Sequence, residues 1–189
     1  MRLLGIGVAL AVTAAAAAAA AAAVAMPASA RDVVVQVDAR AGPWLNKANP
    51  KMRYGKGGEI APVVISGLAD VSGETVEIFA AQGASTQVGG ADVGVEGVAG
   101  EAVDDMPGAG KKYYPSLYAP KVLYPTNRHA LMAVFVDADG KLVGRPFAVG
   151  QGVRLAIPDG ATSLSLGFND VEFSGNGGAM TVTVVVPDS

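Results

Sequence analysis

The chain has 189 residues with 14 Lys and Arg against 17 Asp and Glu, a formal net charge of −3, 25 glycines and no cysteine. The missing cysteine excludes disulfides, thiolate-bound metals and a lipidated N-terminal Cys. A weakly acidic chain without a Lys/Arg cluster also lacks the basic footprint that nucleic-acid phosphates require.

At the N-terminus, Arg2 precedes an apolar, alanine-dominated run over residues 3–26, which ends in Pro27-Ala28-Ser29-Ala30. A short basic region, an apolar region and a small-x-small ending are the three features of a signal peptide, which places cleavage after Ala30 and the mature start at Arg31. The rival reading is an uncleaved anchor, since the run is long enough to cross about 30 Å of hydrocarbon. Cleavage implies a periplasmic or secreted protein with no stable membrane insertion. It removes only Arg2 among the charged groups, so the mature chain of 159 residues carries a net charge of −4. That length can bury a full core without disulfide staples.

The mature chain reads as β. Segments rich in Val, Ile, Leu and Phe, bounded by Gly, Pro, Asp or Asn, predict strands at 32–38, 62–66, 74–81, 130–136, 152–157, 163–168 and 180–186. No window sustains a helical period. Seven short strands predict a single all-β domain, a sandwich or barrel. In the last three, Val153, Leu155 and Ile157, then Leu164, Leu166 and Phe168, then Val182, Val184 and Val186 share faces that should build the core.

Residues 88–112, rich in Gly, Ala, Val and acids without a sustained period, predict a long loop, part of an insertion over about 88–125. Four of the five tyrosines (Tyr113, Tyr114, Tyr118 and Tyr124) follow it beside prolines. Their rings suit stacking on a sugar or a protein partner, or pinning an irregular segment to the domain.

No catalytic constellation emerges. His129 is the single histidine, no G-x-S-x-G elbow is present, and no carboxylate pair stands out, so the expectation is a non-enzyme with His129 as a strand-end or hydrogen-bonding residue. Asp137-Ala138-Asp139-Gly140-Lys141 imitates the opening of a calcium loop. Lys141 stands at the third ligand position and Ala148 where the bidentate Glu belongs, so it predicts a tight turn, with Asp139 and Gly140 supplying positive φ. The stretch from Asn169 to Gly178 joins two alternating strands and carries several oxygen donors, which makes it a candidate hard-cation site or an ordinary long connection.

The order of the C-terminal half resembles the calcium-dependent galactophilic lectins of bacteria, the PA-IL-like β-sandwich domains. The likeness rests on Ala130-Leu131-Met132-Ala133-Val134-Phe135, then Arg145-Pro146-Phe147-Ala148-Val149-Gly150, then Leu166-Gly167-Phe168-Asn169-Asp170 with its Gly/Asn loop, and a closing Met180-Thr181-Val182-Thr183-Val184. Upstream, Gly73-Glu74-Thr75-Val76-Glu77-Ile78-Phe79-Ala80 is similar to a further family strand. The resemblance implies a jelly-roll-like, galactose-binding-like sandwich that holds a carbohydrate or cell-surface glycan through calcium. By position it makes Asp170 and Asn176 side-chain ligands, Ser174 a carbonyl donor and Thr86 a neighbour of the upstream carbonyl, with Asn169, Asp170 and Asn176 facing the ligand. Gly177 stands where the family has the second of two asparagines. The resulting expectation is an exported, non-catalytic carbohydrate-binding or other ligand-binding module. The alternative is an exported structural or protein-binding sandwich that has lost the lectin site, and self-association is left open.

Overall fold

The computed structural model describes residues 29–103, 121–123 and 126–188. The leader expected at 1–30 lies almost wholly outside the described residues, as do the four clustered tyrosines. Among the described residues no helix is long and apolar enough to cross a membrane.

The chain is all-β. Its strands are β1 Ala30–Asp38, β2 Val63–Ser66, β3 Thr75–Ala80, β4 Ser85–Val88, β5 Ala91–Gly94, β6 Ala102–Val103, β7 Thr126–Asn127, β8 Leu131–Val136, β9 Leu142–Ala148, β10 Val153–Ala156, β11 Ser163–Phe168, β12 Asn176–Gly177 and β13 Ala179–Pro187, with one 3-10 turn at Pro50–Met52. Two four-stranded antiparallel sheets, ordered β1-β13-β3-β10 and β2-β11-β8-β9, supply one continuous apolar core, the arrangement of a β-sandwich. A small sheet, β12-β4-β5, lies beside them.

All seven segments expected from their apolar pattern are strands. Alternation places Val182, Val184 and Val186 of β13 and Leu164, Leu166 and Phe168 of β11 in the core at 0 % exposure, while Val153 and Leu155 on the outermost strand β10 are half-buried. Three differences stand out. Strand β9 escapes the pattern because Gly144-Arg145-Pro146 interrupts it, and residues 88–94 form the turn and second strand of a β4–β5 hairpin instead of a loop. The hairpin turns at Gly89-Gly90, both at positive φ; short strands full of glycine carry too little alternation to be recognised. In the 137–141 turn only Gly140 has positive φ. Asp137 accepts hydrogen bonds from the backbone N–H of Asp139 and Lys141, each at 2.9 Å, so its carboxylate holds a turn.

Strand β11 is buried on both faces, which its alternation does not foretell. The segment Ala41-Gly42-Pro43-Trp44 lies over its second face: Phe168 N donates to Ala41 O at 2.8 Å, and Ser165 Oγ to Pro43 O at 2.8 Å. The cover is fixed in turn by Tyr54, whose hydroxyl donates to Trp44 O at 2.7 Å and whose ring meets Trp44 and Phe173 edge-on. Burial raises the Tyr54 pKa well above the usual phenol range. Strand β11 thereby becomes a rigid rod whose C-terminal end delivers Asn169 and Asp170 to a fixed place.

Candidate functional site

Asp170 follows the end of β11, His129 precedes β8, Thr86 sits in β4 and Asn176 opens β12. These elements meet at one end of the sandwich, and their four polar side chains converge. His129 Nδ1 donates to Asp170 Oδ2 at 2.9 Å, and His129 Nε2 lies 2.8 Å from Thr86 Oγ1. Asn176 Nδ2 donates to the same Asp170 oxygen at 2.9 Å and to Ala39 O at 3.3 Å. The other carboxylate oxygen accepts from Val171 N at 2.6 Å and has Arg128 Nη1 at 3.7 Å. Thr86 is 1 % exposed, His129 0 %, Asp170 1 % and Asn176 9 %.

The histidine is locked from every side. Its ring stacks on Phe168, centroids 4.4 Å apart and planes 5° from parallel. Its backbone has φ of 61°, an uncommon left-handed conformation for a non-glycine residue. That conformation is held by a reciprocal pair of bonds, His129 N to Asn169 O at 2.5 Å and Asn169 N to Ala130 O at 3.0 Å. Arg128 reaches outward to Glu101, Nε to Oε2 at 2.7 Å, and caps the cluster with a surface ion pair.

Of the residues expected at a site, Asp170, Asn176 and Thr86 come together. Asn169 lies next to them, but its side-chain amide donates to Asn127 O at 3.0 Å. Ser174 does not join: it is exposed, and its N–H and hydroxyl both donate to Glu172 Oε1. The residue missed as a hub is His129. It matches the hydrogen-bonding role expected of it, but its partners lie 41 and 43 positions away, and no local motif could announce them.

These side chains do not fit a calcium ion. Calcium takes six to eight oxygen ligands at about 2.3–2.6 Å. Here both carboxylate oxygens of Asp170 already accept N–H donors, Asn176 presents its NH2 group to Asp170, and the imidazole fills the space between Thr86 and the carboxylate. Among the described residues no group of three or more His, Cys, Asp or Glu could hold a metal.

Hydroxyl, imidazole and carboxylate stand in the order of a nucleophile, a base and the group that orients it. Thr86 has almost no accessible surface, so in this arrangement its hydroxyl is closed to the approach of an acyl or glycosyl substrate. What the geometry does supply is a fully satisfied polar network that fixes the ends of β4, β8, β11 and β12 against one another.

No protein-family model matches the chain, and no curated protein matches it. One solved structure, described as "EclA N-terminal domain; PllA-like lectin", is similar to it at 18 % identity with a TM-score of 0.40, covering 82 % of this chain and 95 % of that one.

The Asp170 carboxyl carries a pH dependence. Burial works against its ionisation, but hydrogen bonds from His129, Asn176 and Val171 N outweigh that and hold its pKa below the ordinary 3.8. A depressed carboxyl contributes stability that is present above the unfolded value and lost as pH falls through the folded one. Thermal melts should therefore show a loss specific to Asp170 beginning below about pH 3.8. The melting temperature of Asp170→Asn, lower at neutral pH, should converge on that of the wild type as acid removes the charge. A constant gap down to pH 2 would contradict this.

Proposed function

We propose that the chain is an exported, non-catalytic ligand-binding module of the carbohydrate-binding kind. The observation that carries the non-catalytic part is the sealing of the Thr86–His129–Asp170 chain, the one arrangement among the described residues that has the order of catalytic groups. The lectin-like order of strands in the C-terminal half supports a saccharide as the ligand. Export rests on the leader, and secreted material should begin at Arg31 by N-terminal sequencing.

The proposal differs in one respect from what the sequence resemblance implies. Asp170 and Asn176 act as internal braces, and ligand binding takes place on open surface elsewhere on the sandwich. A glycan array probed with residues 31–189 tests the reading. Retention of a defined set of glycans, recovered unchanged in mass after prolonged contact, is the expected result. No retention would turn the reading to a protein-binding module, and cleaved glycans would overturn its non-catalytic part.

A further inference from the structure

A pocket of about 390 Å³ lies between the 45–52 segment and the β8–β9 hairpin, away from the buried cluster. Four of its lining residues, Lys51, Lys121, Lys141 and Arg145, are cationic, and none of the described lining residues is acidic. In a chain of net charge −3 this gathers cationic side chains in one place, with Lys51 and Lys121 carrying the local excess. A concave wall of one charge focuses the field and raises the local concentration of counter-ions.

The walls are tied together. Asn49, 8 % exposed, donates to Leu45 O at 3.1 Å and to Gly140 O at 2.9 Å and accepts from Leu142 N at 3.0 Å, which clamps the 45–52 segment to the hairpin. Arg145 donates from Nε to Lys121 O at 2.9 Å and from Nη2 to Val122 O at 2.8 Å, fixing Lys121 against β9. Lys121 has φ of 54°, a left-handed conformation uncommon for a side-chain-bearing residue and associated with functional positions.

The neighbouring charges are only partly cancelled. Lys141 pairs with Asp139 at 2.8 Å, and Asp137 sits in the same turn. Neither Lys51 nor Lys121 has an ion-pair partner among the described residues.

We infer that this pocket is a binding site for an acidic saccharide, one bearing carboxylate or sulfate groups. The inference rests on the carbohydrate-binding reading for the sugar and on the pocket for the charge. Neutral sugars are commonly held by stacking on aromatic rings, and none of the described residues that line this pocket is aromatic. The described lining offers instead lysine ammonium groups that donate charge-assisted hydrogen bonds to anionic oxygens, with the apolar side chains of Met52 and Leu142 among them.

Isothermal titration of residues 31–189 with an oligogalacturonate, a sulfated heparin-derived tetrasaccharide and a neutral galactose oligomer tests it, alongside the double variant Lys51→Ala, Lys121→Ala. Both lysines are exposed, so the variant should melt as the wild type does. The expected result is binding of an acidic oligomer that weakens at least tenfold in the double variant and weakens as salt shortens the screening length from about 10 Å at 0.1 M. If the neutral oligomer binds as well as the acidic ones and the double variant is unaffected, the inference is overturned and the carbohydrate-binding reading stands. If none of the three binds, both are overturned.

Discussion

His129→Ala is expected to destabilise the domain by more than about 1–3 kcal/mol, the cost of one unsatisfied buried polar group, because it takes the imidazole partner from two buried groups at once, one of them a carboxylate. The substitution strips Asp170 of its imidazole donor at 2.9 Å and Thr86 of its partner at 2.8 Å, at positions with no more than 1 % exposure. It also opens a void against Phe168, on whose ring the imidazole stacks. The loss should exceed that of Thr86→Val, for which about 1–3 kcal/mol is the cost of leaving one buried group unsatisfied. Urea denaturation of both variants measures the difference. A His129→Ala cost under about 1 kcal/mol, the level of an ordinary surface site, would mean that the network does not hold the four elements together.

Gly167→Ala should be comparably damaging for a steric reason. A Cβ at Gly167 would sit 2.1 Å from Gly42 O and 2.7 Å from Ala41 O. Both atoms belong to the segment that covers β11, so relief requires backbone movement, whereas a flexible side chain could simply turn away. Overpacking in well-packed interiors costs about 1–3 kcal/mol, and occasionally more; a backbone-on-backbone clash belongs at the upper end or beyond. The damage should reach Asp170, because Phe168 N bonds to Ala41 O only two residues upstream of it. Gly177→Ala is the matched control, as its Cβ would meet nothing closer than Gln87 Oε1 at 3.8 Å and its φ is not in the left-handed region. Equal stability of the two variants would show that the 41–44 segment is not fixed over β11.

How much of this was legible beforehand varied with the distance over which each feature acts. The core faces of β11 and β13 were readable because a strand's alternation is local, and Leu164, Leu166 and Val184 declare themselves two residues at a time. Strands β4 and β5 were not, since Ser85–Val88 and Ala91–Gly94 are too short and too rich in Gly and polar residues to show a period. The second face of β11 was hidden for a different reason. Its cover comes from residues more than 120 positions earlier, and only Gly167, without a side chain, hinted at a close approach. Asp170, Asn176 and Thr86 were picked out as cation ligands, and they do converge. Their common partner is an imidazole from the far side of the chain, and tertiary contact alone could reveal that.

That an internal histidine, and no cation, partners Asp170 is tested most directly by thermal melts of residues 31–189 in millimolar calcium and in EDTA. A ligand that binds only the folded state raises its melting temperature by mass action. With the oxygens of Asp170 already occupied by His129, Asn176 and Val171 N–H groups, the two curves should coincide. A calcium-dependent rise of several degrees in the wild type, abolished in Asp170→Asn and retained in Asp139→Asn, would contradict this and place a metal at the end of β11.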